Sequence, residues 1–464
     1  MTGHHFHHSI LRAYDARGIV GETLSHEDAY HLGRAYGTVA ARGGAQRIAV
    51  GYDGRHSSPG FARELRRGLV ECGLTALDIG CCPTPQVYFA VHTFDLGGGV
   101  MITGSHNPPS HNGFKFMLGK DSFFGDSLAA LGPLAAKGDY INSNRGSEEK
   151  LDMQPAYIDA LAEAFTPHED RALTVVWDSG NGSAGDVMRA LTARLPGTHH
   201  LMFADIDGDF PNHHPDPSIE VNLKDLKAKI HDTKAAIGLA FDGDGDRCGL
   251  VDDEGEVIWA DQFMILLAQH VLADEPGSPI IADVKSSQTL FDSIAAMGGQ
   301  PVMWKTGHSV IKSKMKELKS PLGGEMSGHI FFKHRWFGFD DGLYTAVRLL
   351  SIVTHMDGKL SDFRKSLPAL HSTPELHYEI DEKEKFTTVD KIAQKLISEG
   401  ADVCTIDGVR VREKGGWWLI RASNTQAILV ARVEAESADI AERLRKRVEE
   451  CLQATGIPLI LRQH

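Results

Sequence analysis

The stretch IAVGYD at residues 48–53 decides how this chain is expected to fold. It is an apolar run that predicts a buried strand and ends in an aspartate, with a polar turn and a helical pattern behind it. The same order recurs at residues 175–178 (VVWD) and at residues 280–283 (IIAD). The three aspartates are 125 and 105 residues apart, which is the spacing of domains, so the sequence predicts three similar units.

The three units continue in the same way behind their first strand. Helical patterns lie around residues 59–71, 184–195 and 287–297, and second apolar strands lie near residues 75–79, 200–204 and 301–304. Each unit closes on a strand-like run and an unusual loop, which is TGSHNPP at 103–109, DGDGDR at 242–247 and GGEMSGH at 323–329. Alternating strands and helices predict parallel-type α/β units, in which ligands gather where loops leave the carboxyl ends of strands. We therefore expect the three loops to share one cleft.

The part of the chain after Leu367 departs from this pattern. A helix is predicted at 388–399, several strands at 402–433 and a charged helix at 437–454, which together indicate an α+β domain. With 464 residues the chain is also too long for a single core. We expect three similar mixed α/β domains around a cleft plus a C-terminal α+β domain. The expected boundaries are 1–149, 150–256, 257–367 and 368–464.

Composition excludes several classes of protein. The formal net charge of −14 argues against non-specific nucleic-acid binding. No apolar run is long enough to cross a bilayer, and no basic segment followed by an apolar one suggests a signal peptide. The six cysteines include no C-x-x-C pair, which indicates reduced thiols and not a disulfide framework or a zinc site. We expect a cytoplasmic protein, monomeric or weakly dimeric, with no nucleic-acid or membrane partner.

The first loop presents a serine in an unusual position. It follows the apolar run GGGVMI at 97–102, which predicts a short buried strand. Pro108 and Pro109 prevent a ladder or a helix directly behind it. Ser105 is therefore expected at the end of a strand, on a turn that cannot become regular structure. A serine held in this way is a candidate covalent carrier.

The second loop predicts a metal site. Its carboxylates, Asp242, Asp244 and Asp246, alternate with glycines that let the backbone curl until the side chains converge. Converging carboxylates repel one another unless a cation lies among them, and oxygen ligands favour a hard ion such as Mg²⁺. An EF-hand calcium loop is disfavoured, because Arg247 stands where that loop needs glycine and Asp253 where it needs glutamate.

A turn in the C-terminal region suits a phosphate group. The segment RASNTQ at 421–426 lies between two predicted strands, at 417–420 and 427–430. It offers an arginine fork, hydroxyl groups and an amide on one hairpin-like turn, a combination that binds phosphate. A polar turn without a ligand is the alternative, and the presence of the other loops favours phosphate.

Two further patterns are assigned no function. GNGSAG at 180–185 matches the dinucleotide-binding motif G-x-G-x-x-G, and Asp205 follows at about the required distance. The equivalent turns of the other two units lack these glycines, and a tight strand-to-helix turn needs glycine for packing alone. NAD or FAD binding is therefore disfavoured, as is a P-loop kinase, since no Walker A segment is present. The cluster HHFHH at 4–8 is either incidental or an adventitious metal site.

The four loops in this order resemble the α-D-phosphohexomutase family, and most of all its bacterial phosphomannomutase/phosphoglucomutase branch. The resemblance extends from YDARG at 14–18 to the C-terminal turn, and TGSHNPP followed by NGFK at 112–115 is highly specific. It implies an intramolecular phosphotransferase of the isomerase class, which interconverts hexose 1-phosphate and hexose 6-phosphate of mannose, glucose or both. The implied route uses a phosphoserine enzyme and a hexose 1,6-bisphosphate intermediate.

The resemblance also implies roles for individual residues. Metal ligation falls to Ser105, Asp242, Asp244 and Asp246, which would hold one Mg²⁺ per chain. Catalytic roles fall to Ser105, Arg17, His106, Lys115, Arg247, His308 and His329. Substrate binding falls to Tyr14, Lys285, Glu325, Ser327, His329, Arg421, Ser423, Asn424 and Thr425. Sugar phosphates are the implied small-molecule partners, with hexose 1,6-bisphosphate as an activator.

Three other functions compete with this interpretation. A phosphatase would use the same serine and metal with water as acceptor, but it would need no sugar loop or second phosphate loop. A phosphoglucosamine mutase typically carries glutamine at the position of Met326, and methionine cannot donate a hydrogen bond to a 2-substituent. A non-catalytic binding protein is disfavoured by the intact serine, acidic triad and arginine. The choice between mannose and glucose and the identity of the general base stay open.

Overall fold

The computed structural model describes residues 3–168, 171–424 and 426–457. Within these residues the chain forms four β-sheets that follow one another along the sequence. Thr425, one of the predicted phosphate-binding residues, lies outside the described residues.

The first sheet contains seven strands. Its strands are β1 Ala16–Ile19, β2 Arg47–Tyr52, β3 Thr75–Cys81, β4 Gly98–Ile102, β5 His111–Leu118, β6 Asp121–Ser122 and β7 Ser147–Lys150. The helices of this region are α1 His26–Arg42, α2 Ser58–Glu71, α3 Thr84–Thr93, α4 Asp126–Ala129 and α5 Leu131–Lys137. The strand order is β1-β5-β4-β2-β3-β7, and β6 pairs with β5. The last strand ends at Lys150, next to the domain boundary expected at residue 149.

The second sheet is a smaller version of the first. Its region contains α6 Gln154–Glu163, β8 Thr174–Asp178, α7 Gly185–Thr192, β9 Thr198–Met202, a 3-10 helix Glu220–Leu223, α8 Lys224–Thr233, β10 Ile237–Phe241, β11 Cys248–Asp252 and β12 Val257–Ile258. The strand order is β12-β11-β10-β8-β9.

The third sheet has four strands and is covered by longer helices. Its region contains α9 Ala260–Asp274, β13 Pro279–Asp283, α10 Gln288–Ala296, β14 Gln300–Trp304, α11 His308–Leu318, β15 Leu322–Gly324, β16 Ile330–Phe332, α12 Gly342–His355 and α13 Leu360–Ser366. The strand order is β14-β13-β15-β16.

The three sheets share one central pattern. In each, the first strand of the repeat lies in the middle and pairs in parallel with the second and third, as β3-β2-β4, β9-β8-β10 and β14-β13-β15. An antiparallel strand, β5, β11 or β16, then pairs with the third strand of each unit. The predicted triplication and the mixed α/β class are confirmed. The three predicted loops leave β4, β10 and β15 at their carboxyl ends.

The fourth sheet is antiparallel, as an α+β domain requires. Its region contains β17 His371–Ser372, β18 Leu376–Glu379, α14 Lys385–Ser398, β19 Asp402–Cys404, β20 Val409–Glu413, β21 Gly416–Ala422, β22 Ile428–Ala435 and α15 Ala438–Gln453. The strand order is β17-β22-β21-β20-β19, and β18 also pairs with β22. A separate core, which includes Trp418, Ile420 and Leu444, lies between this sheet and its two helices.

Apolar packing joins the first three domains more tightly than the fourth. One continuous core runs from α3 in the first domain through Trp177 and Phe263 to α12 in the third. The fourth domain meets the third through a small cluster of Val284, Trp417 and Leu419. Arg410 adds hydrogen bonds from Nη1 to the carbonyl oxygens of Val284 (2.6 Å) and Ser286 (2.8 Å). The apolar part of this interface is small and the rest of it is polar, and interfaces that are more polar than a core permit movement between domains.

No helix in the described ranges is both long enough and apolar enough to cross a membrane.

Candidate active site

The serine loop is built around the aspartate that ends the first repeat strand. Asp53 Oδ2 accepts hydrogen bonds from Thr103 Oγ1 (2.8 Å) and from the backbone N–H of Gly104 (3.1 Å). The N–H of Ser105 donates to Thr103 Oγ1 at 2.7 Å. Ser105 has a positive φ of 50°, which is uncommon for a residue other than glycine, and only 1% of its surface is exposed. The strand-end aspartate thus holds the serine in a strained turn.

A buried arginine clamps the same loop from the other side. Arg55 Nη2 donates to the carbonyl oxygens of Ser105 (2.7 Å) and Asn107 (2.5 Å). Its Nη1 donates to those of Pro108 (2.6 Å) and His111 (3.1 Å). Nε pairs with Asp53 Oδ2 at 3.1 Å, so the guanidinium charge is balanced although only 1% of the side chain is exposed. One side chain therefore satisfies three carbonyl groups of the loop and the first carbonyl group of β5.

The metal loop lies directly against the serine. Ser105 Oγ donates to Asp242 Oδ2 at 2.9 Å and also lies 3.1 Å from His106 Nδ1. Gly243 permits this approach, because a Cβ at that position would lie 2.4 Å from the carbonyl oxygen of Ser105. Gly245 has a φ of 71° and makes the turn that brings the carboxylates together.

The three carboxylates fit a divalent cation. Asp242, Asp244 and Asp246 are fully buried, and each offers an oxygen within 4.8 Å of the other two. Oδ1 of Asp244 and Oδ1 of Asp246 have no hydrogen-bond partner among the described residues. Burial and the two neighbouring carboxylates raise the pKa of Asp242 well above its usual value, which indicates uncompensated negative charge. Oxygen-only ligands in this number suit a hard ion such as Mg²⁺.

Lys115 reaches this cluster from β5. Its Nζ lies 2.7 Å from Asp244 Oδ2 and 2.5 Å from Asp246 Oδ2. Burial raises the pKa of Asp244, but the charge of Lys115 together with hydrogen bonds from Lys115 and Thr84 lowers it below its ordinary value. Lys115 and Arg247, whose Nε lies 3.8 Å from Asp242 Oδ2, offset two of the three negative charges, so the site keeps a net negative charge that favours a cation.

A chain of contacts joins the metal loop to the sugar loop. Arg247 Nε donates to His329 Nε2 at 3.0 Å. On the other side of the ring, His329 Nδ1 lies 3.1 Å from Asp340 Oδ2 and 3.4 Å from Asp246 Oδ1. The His308 ring stacks beside that of His329, with the centroids 5.8 Å apart and an angle of 23° between the planes. Both predicted proton-transfer histidines thus lie in one group with Arg247.

Two histidines of the cleft are kept neutral. Burial, followed by the charge of Lys312, lowers the pKa of His308 well below its usual value. Burial, followed by the charges of Arg247 and Arg17, lowers the pKa of His106 in the same way. A neutral imidazole at physiological pH carries a lone pair that can accept a proton.

The sugar loop presents a buried carboxylate. Glu325 is 3% exposed, and its Oε1 accepts a hydrogen bond from the backbone N–H of Gly307 at 2.5 Å. The N–H of Glu325 donates to the carbonyl oxygen of His329 at 2.9 Å, which closes the GEMSGH turn. Burial raises the pKa of this carboxyl above its ordinary value. Ser327 lies at the tip of the turn and is half-buried.

The phosphate loop contacts the first domain through Tyr14. Asn424 Nδ2 donates to Tyr14 Oη at 2.5 Å, and Tyr14 Oη donates to the carbonyl oxygen of Thr306 at 2.8 Å. One hydroxyl of the first domain therefore contacts the third and fourth domains together. Asp407 orients the neighbouring Arg421 by accepting from its Nε at 3.0 Å. Ser423 is 7% exposed in the same turn.

The two remaining predicted cations have acidic partners. Lys285 Nζ lies 2.7 Å from Glu375 Oε1, and only 8% of the residue is exposed. Arg17 lies in β1, which pairs with the strand that follows the serine loop, and its Nε donates to Asp15 Oδ2 at 2.6 Å. A carboxylate therefore fixes the position of each of these two side chains.

The GNGSAG turn supports the metal loop. The backbone N–H of Ser183 donates to the carbonyl oxygen of Gly243 at 2.9 Å, and Ser183 Oγ donates to it at 3.2 Å. A Cβ at Gly182 would lie 2.9 Å from the same oxygen. The glycine is thus needed for close packing of two backbones, as the sequence interpretation held.

Comparison with protein families decides the assignment. Models described as phosphoglucomutase/phosphomannomutase alpha/beta/alpha domains I, II and III match residues 8–130, 155–255 and 259–371. A fourth, the C-terminal domain of the same family, matches residues 375–450. The chain belongs to the α-D-phosphohexomutase family.

Relatives of this phosphohexomutase match it over almost their whole length. It is 43% identical over 451 residues to the phosphomannomutase/phosphoglucomutase of Pseudomonas aeruginosa, which covers 97% of both chains. It is 44% identical over 448 residues to the phosphoglucomutase of Neisseria gonorrhoeae, covering 96% of this chain and 97% of the relative. A crystal structure of a phosphoglucomutase/phosphomannomutase family protein from Burkholderia thailandensis matches with a TM-score of 0.91 at 39% identity, over 98% of this chain and 99% of that one. The predicted family and fold are confirmed.

Sequence reasoning missed the residues that hold the phosphohexomutase loops in position. They are Arg55 behind the serine loop, Asp340 behind His329, Asp407 behind Arg421 and Glu375 behind Lys285. Asp340 had a visible signal, since it is one of two consecutive aspartates directly before a helix. Its neighbour Asp341 caps α12, which leaves Asp340 available to the histidine.

Proposed function

We propose that this enzyme interconverts hexose 1-phosphate and hexose 6-phosphate, of mannose, glucose or both, through a phosphoserine at Ser105 and a hexose 1,6-bisphosphate. One observation supports this most strongly. The Ser105 hydroxyl lies 2.9 Å from the acidic triad, and the triad is joined through Arg247 and His329 to a separate sugar loop. A carrier, a metal site and a sugar site in one group are what reversible phosphoryl transfer requires.

In the proposed reaction one phosphoryl group moves from Ser105 to the sugar phosphate, and another moves from the resulting bisphosphate back to Ser105. In the first half, the bond between phosphorus and Ser105 Oγ breaks and a bond to a sugar oxygen forms, while the sugar hydroxyl gives its proton to a base of the cleft. The neutral His308 and the adjacent His329 are the proposed proton acceptors. In the second half, the other phosphoryl of the bisphosphate passes to Ser105 Oγ and the product oxygen regains a proton.

One Mg²⁺ per chain is proposed at Asp242, Asp244, Asp246 and an oxygen of the phosphoserine. When bound, it offsets charge on the transferring phosphoryl group. Arg247 and Lys115 place two further positive charges on either side of this group of carboxylates. Loss of bisphosphate from the cleft would leave Ser105 without its phosphoryl, so added hexose 1,6-bisphosphate is proposed to act as an activator.

The remaining loops are proposed to hold the substrate. Glu325 and Ser327 suit neighbouring sugar hydroxyls, because a carboxylate can accept from two of them. Arg421, Ser423 and Asn424 would bind the phosphate that does not react, and sequence places Thr425 in the same turn. Tyr14 contacts Asn424 of that turn, and Lys285 lies near enough to Arg421 for their charges to interact. The cleft must accept the bisphosphate in two orientations.

A coupled assay tests the proposed reaction. Purified enzyme is given glucose 1-phosphate, mannose 1-phosphate and glucosamine 1-phosphate, and both the 6-phosphate and free inorganic phosphate are measured. We expect conversion of the glucose or the mannose compound without release of phosphate. Release of one phosphate per substrate consumed would indicate a phosphatase. Exclusive use of glucosamine 1-phosphate would indicate a phosphoglucosamine mutase.

Replacing Asp244 with asparagine tests the metal site. We expect Mg²⁺ affinity to fall by about 100-fold or more, because the number of charged ligands sets the affinity of such sites. Titration calorimetry of Mg²⁺ binding measures this directly. Asp95→Asn is the matched control, since that side chain is 86% exposed and pairs with Lys120. Equal Mg²⁺ affinity in Asp244→Asn and wild type would contradict the site.

Replacing Arg421 with lysine tests the phosphate loop. Lysine keeps the charge but loses the guanidinium fork, and hydrogen bonds to charged groups are worth about 1.5–3 kcal/mol each. We expect KM for the sugar phosphate to rise about 10–100-fold, measured in the same coupled assay. Arg443→Lys, on the surface of α15, serves as the control. An unchanged KM for Arg421→Lys would place the phosphate elsewhere.

A further inference from the structure

The first turn of α3 is held rigidly beside the metal loop. Thr84, the first residue of this helix, is fully buried and lies between two prolines, Pro83 and Pro85. A proline fixes its own φ and restricts the residue before it, so the backbone around Thr84 has little conformational freedom. The Thr84 side chain therefore has a defined position.

Thr84 holds Asp244 of the acidic triad at two points. The backbone N–H of Thr84, one of the donors that the first turn of a helix leaves free, donates to the carbonyl oxygen of Asp244 at 2.8 Å. Thr84 Oγ1 donates to Asp244 Oδ2 at 2.5 Å. The two segments are in close contact, since a Cβ at Gly245 would lie 3.0 Å from the Cβ of Pro83. The start of α3 thus positions both the main chain and the side chain of Asp244.

The Thr84 hydroxyl influences which oxygen of Asp244 is left for a cation. Oδ2 accepts from Thr84 and from Lys115 Nζ, which lies 2.7 Å away. Oδ1 is buried and has no hydrogen-bond partner among the described residues. The two donors to Oδ2 differ in charge, and a dication at the triad would repel the Lys115 ammonium but not a neutral hydroxyl. The hydroxyl is therefore the donor that can keep its bond to Oδ2 when a cation is bound.

We propose that Thr84 is a positioning residue of the metal site, and that its hydroxyl fixes the Asp244 carboxylate with Oδ1 directed to the cation. The inference rests on the proposed Mg²⁺ site and adds to it a residue outside the triad. Hydrogen bonds that orient a ligand from the side away from the metal change metal affinity by about 10–100-fold when they are lost.

Mg²⁺ titration calorimetry of the full-length enzyme tests the proposal. Metal is first removed with a chelator, and the phosphorylation of Ser105 is matched between the proteins by intact-mass measurement. We expect Thr84→Val, which has nearly the same shape but no hydroxyl, to bind Mg²⁺ about 10–100-fold more weakly. Thr84→Ala should show a similar loss, whereas Thr84→Ser keeps the hydroxyl and should bind nearly as tightly as the wild type. Thr93→Val, the same substitution at the exposed end of α3, is the matched control.

Mutase activity as a function of Mg²⁺ concentration separates positioning of the metal ligand from a general loss of structure. Thr84→Val should need more Mg²⁺ for half-maximal activity, and saturating Mg²⁺ should restore most of its kcat. A kcat that stays low at saturating Mg²⁺ would contradict a role through the metal.

The variants also distinguish failure of this inference from failure of the metal site. Equal Mg²⁺ affinity in Thr84→Val and wild type, with affinity lost in Asp244→Asn, would overturn the role of Thr84 alone. Equal losses in Thr84→Ser and Thr84→Val would overturn it as well, because they would show that packing and not the hydroxyl matters. Unchanged affinity in Asp244→Asn would contradict the metal site itself and the role of Thr84 with it.

Discussion

Replacing Ser105 with alanine should lower mutase activity by a factor on the order of 10⁴ or more, the scale seen when a nucleophile is removed. The hydroxyl is the atom to which the phosphoryl group is proposed to bind, and no other described hydroxyl donates to Asp242. Steady-state assays with glucose 1-phosphate and mannose 1-phosphate measure the loss. Added hexose 1,6-bisphosphate should not rescue the variant, because there is no acceptor for its phosphoryl group.

The loss of activity should be specific to Ser105, the proposed phosphoryl carrier. Ser110 lies on the same loop but is exposed, so Ser110→Ala is the matched control and should keep its activity. Alanine at 105 should leave the fold intact, since the loop is held by Asp53 and by Arg55 through backbone groups. A Ser105→Ala enzyme that completes many turnovers would rule out the covalent route.

Replacing Arg55 with methionine should lower the free energy of unfolding by about 3–5 kcal/mol, the usual cost of breaking a buried ion pair by removing one partner. The change leaves Asp53 without its counter-ion, and it leaves three carbonyl groups of the serine loop and that of His111 without this donor. Because the loop would then lose its fixed geometry, kcat should also fall while KM changes little. Chemical denaturation and steady-state kinetics measure the two effects.

A surface arginine of the same region provides the comparison. Arg63 has a side chain that is 69% exposed and pairs only with Glu64 in the described contacts. Arg63→Met should therefore change stability by less than about 1 kcal/mol. If Arg55→Met were as stable and as active as Arg63→Met, the clamp would have no role in holding the serine.

The repeat could be predicted from sequence because its evidence is local. An apolar run, an aspartate, a turn and a helix follow one another within about twenty-five residues, and α2, α7 and α10 lie close to where the pattern places them. The strands β3, β9 and β14 likewise follow as expected. Motifs such as DGDGDR are also contiguous, so the convergence of their carboxylates could be predicted from spacing alone.

The supporting contacts could not be predicted because they join distant parts of the chain. Arg55 acts through carbonyl groups some fifty residues away, and nothing near Arg55 in sequence indicates them. The role of Gly243 is similar. The sequence suggested a turn glycine, but it is the approach of Ser105 that requires it, while Gly245 makes the turn. The core shared by the first three domains could not be predicted either, because the sequence pattern describes each repeat separately and does not show how the repeats pack against one another.

The fate of the phosphoryl group on Ser105 tests the central claim most directly. Enzyme labelled by incubation with isotopically labelled hexose 1,6-bisphosphate is freed of ligand and mixed with unlabelled hexose 1-phosphate. Mass spectrometry then follows the label on the peptide that contains Ser105 within a single turnover. The proposed function predicts that the label leaves Ser105 and appears in hexose bisphosphate. Label that stays on the serine, or that leaves as inorganic phosphate, would contradict it.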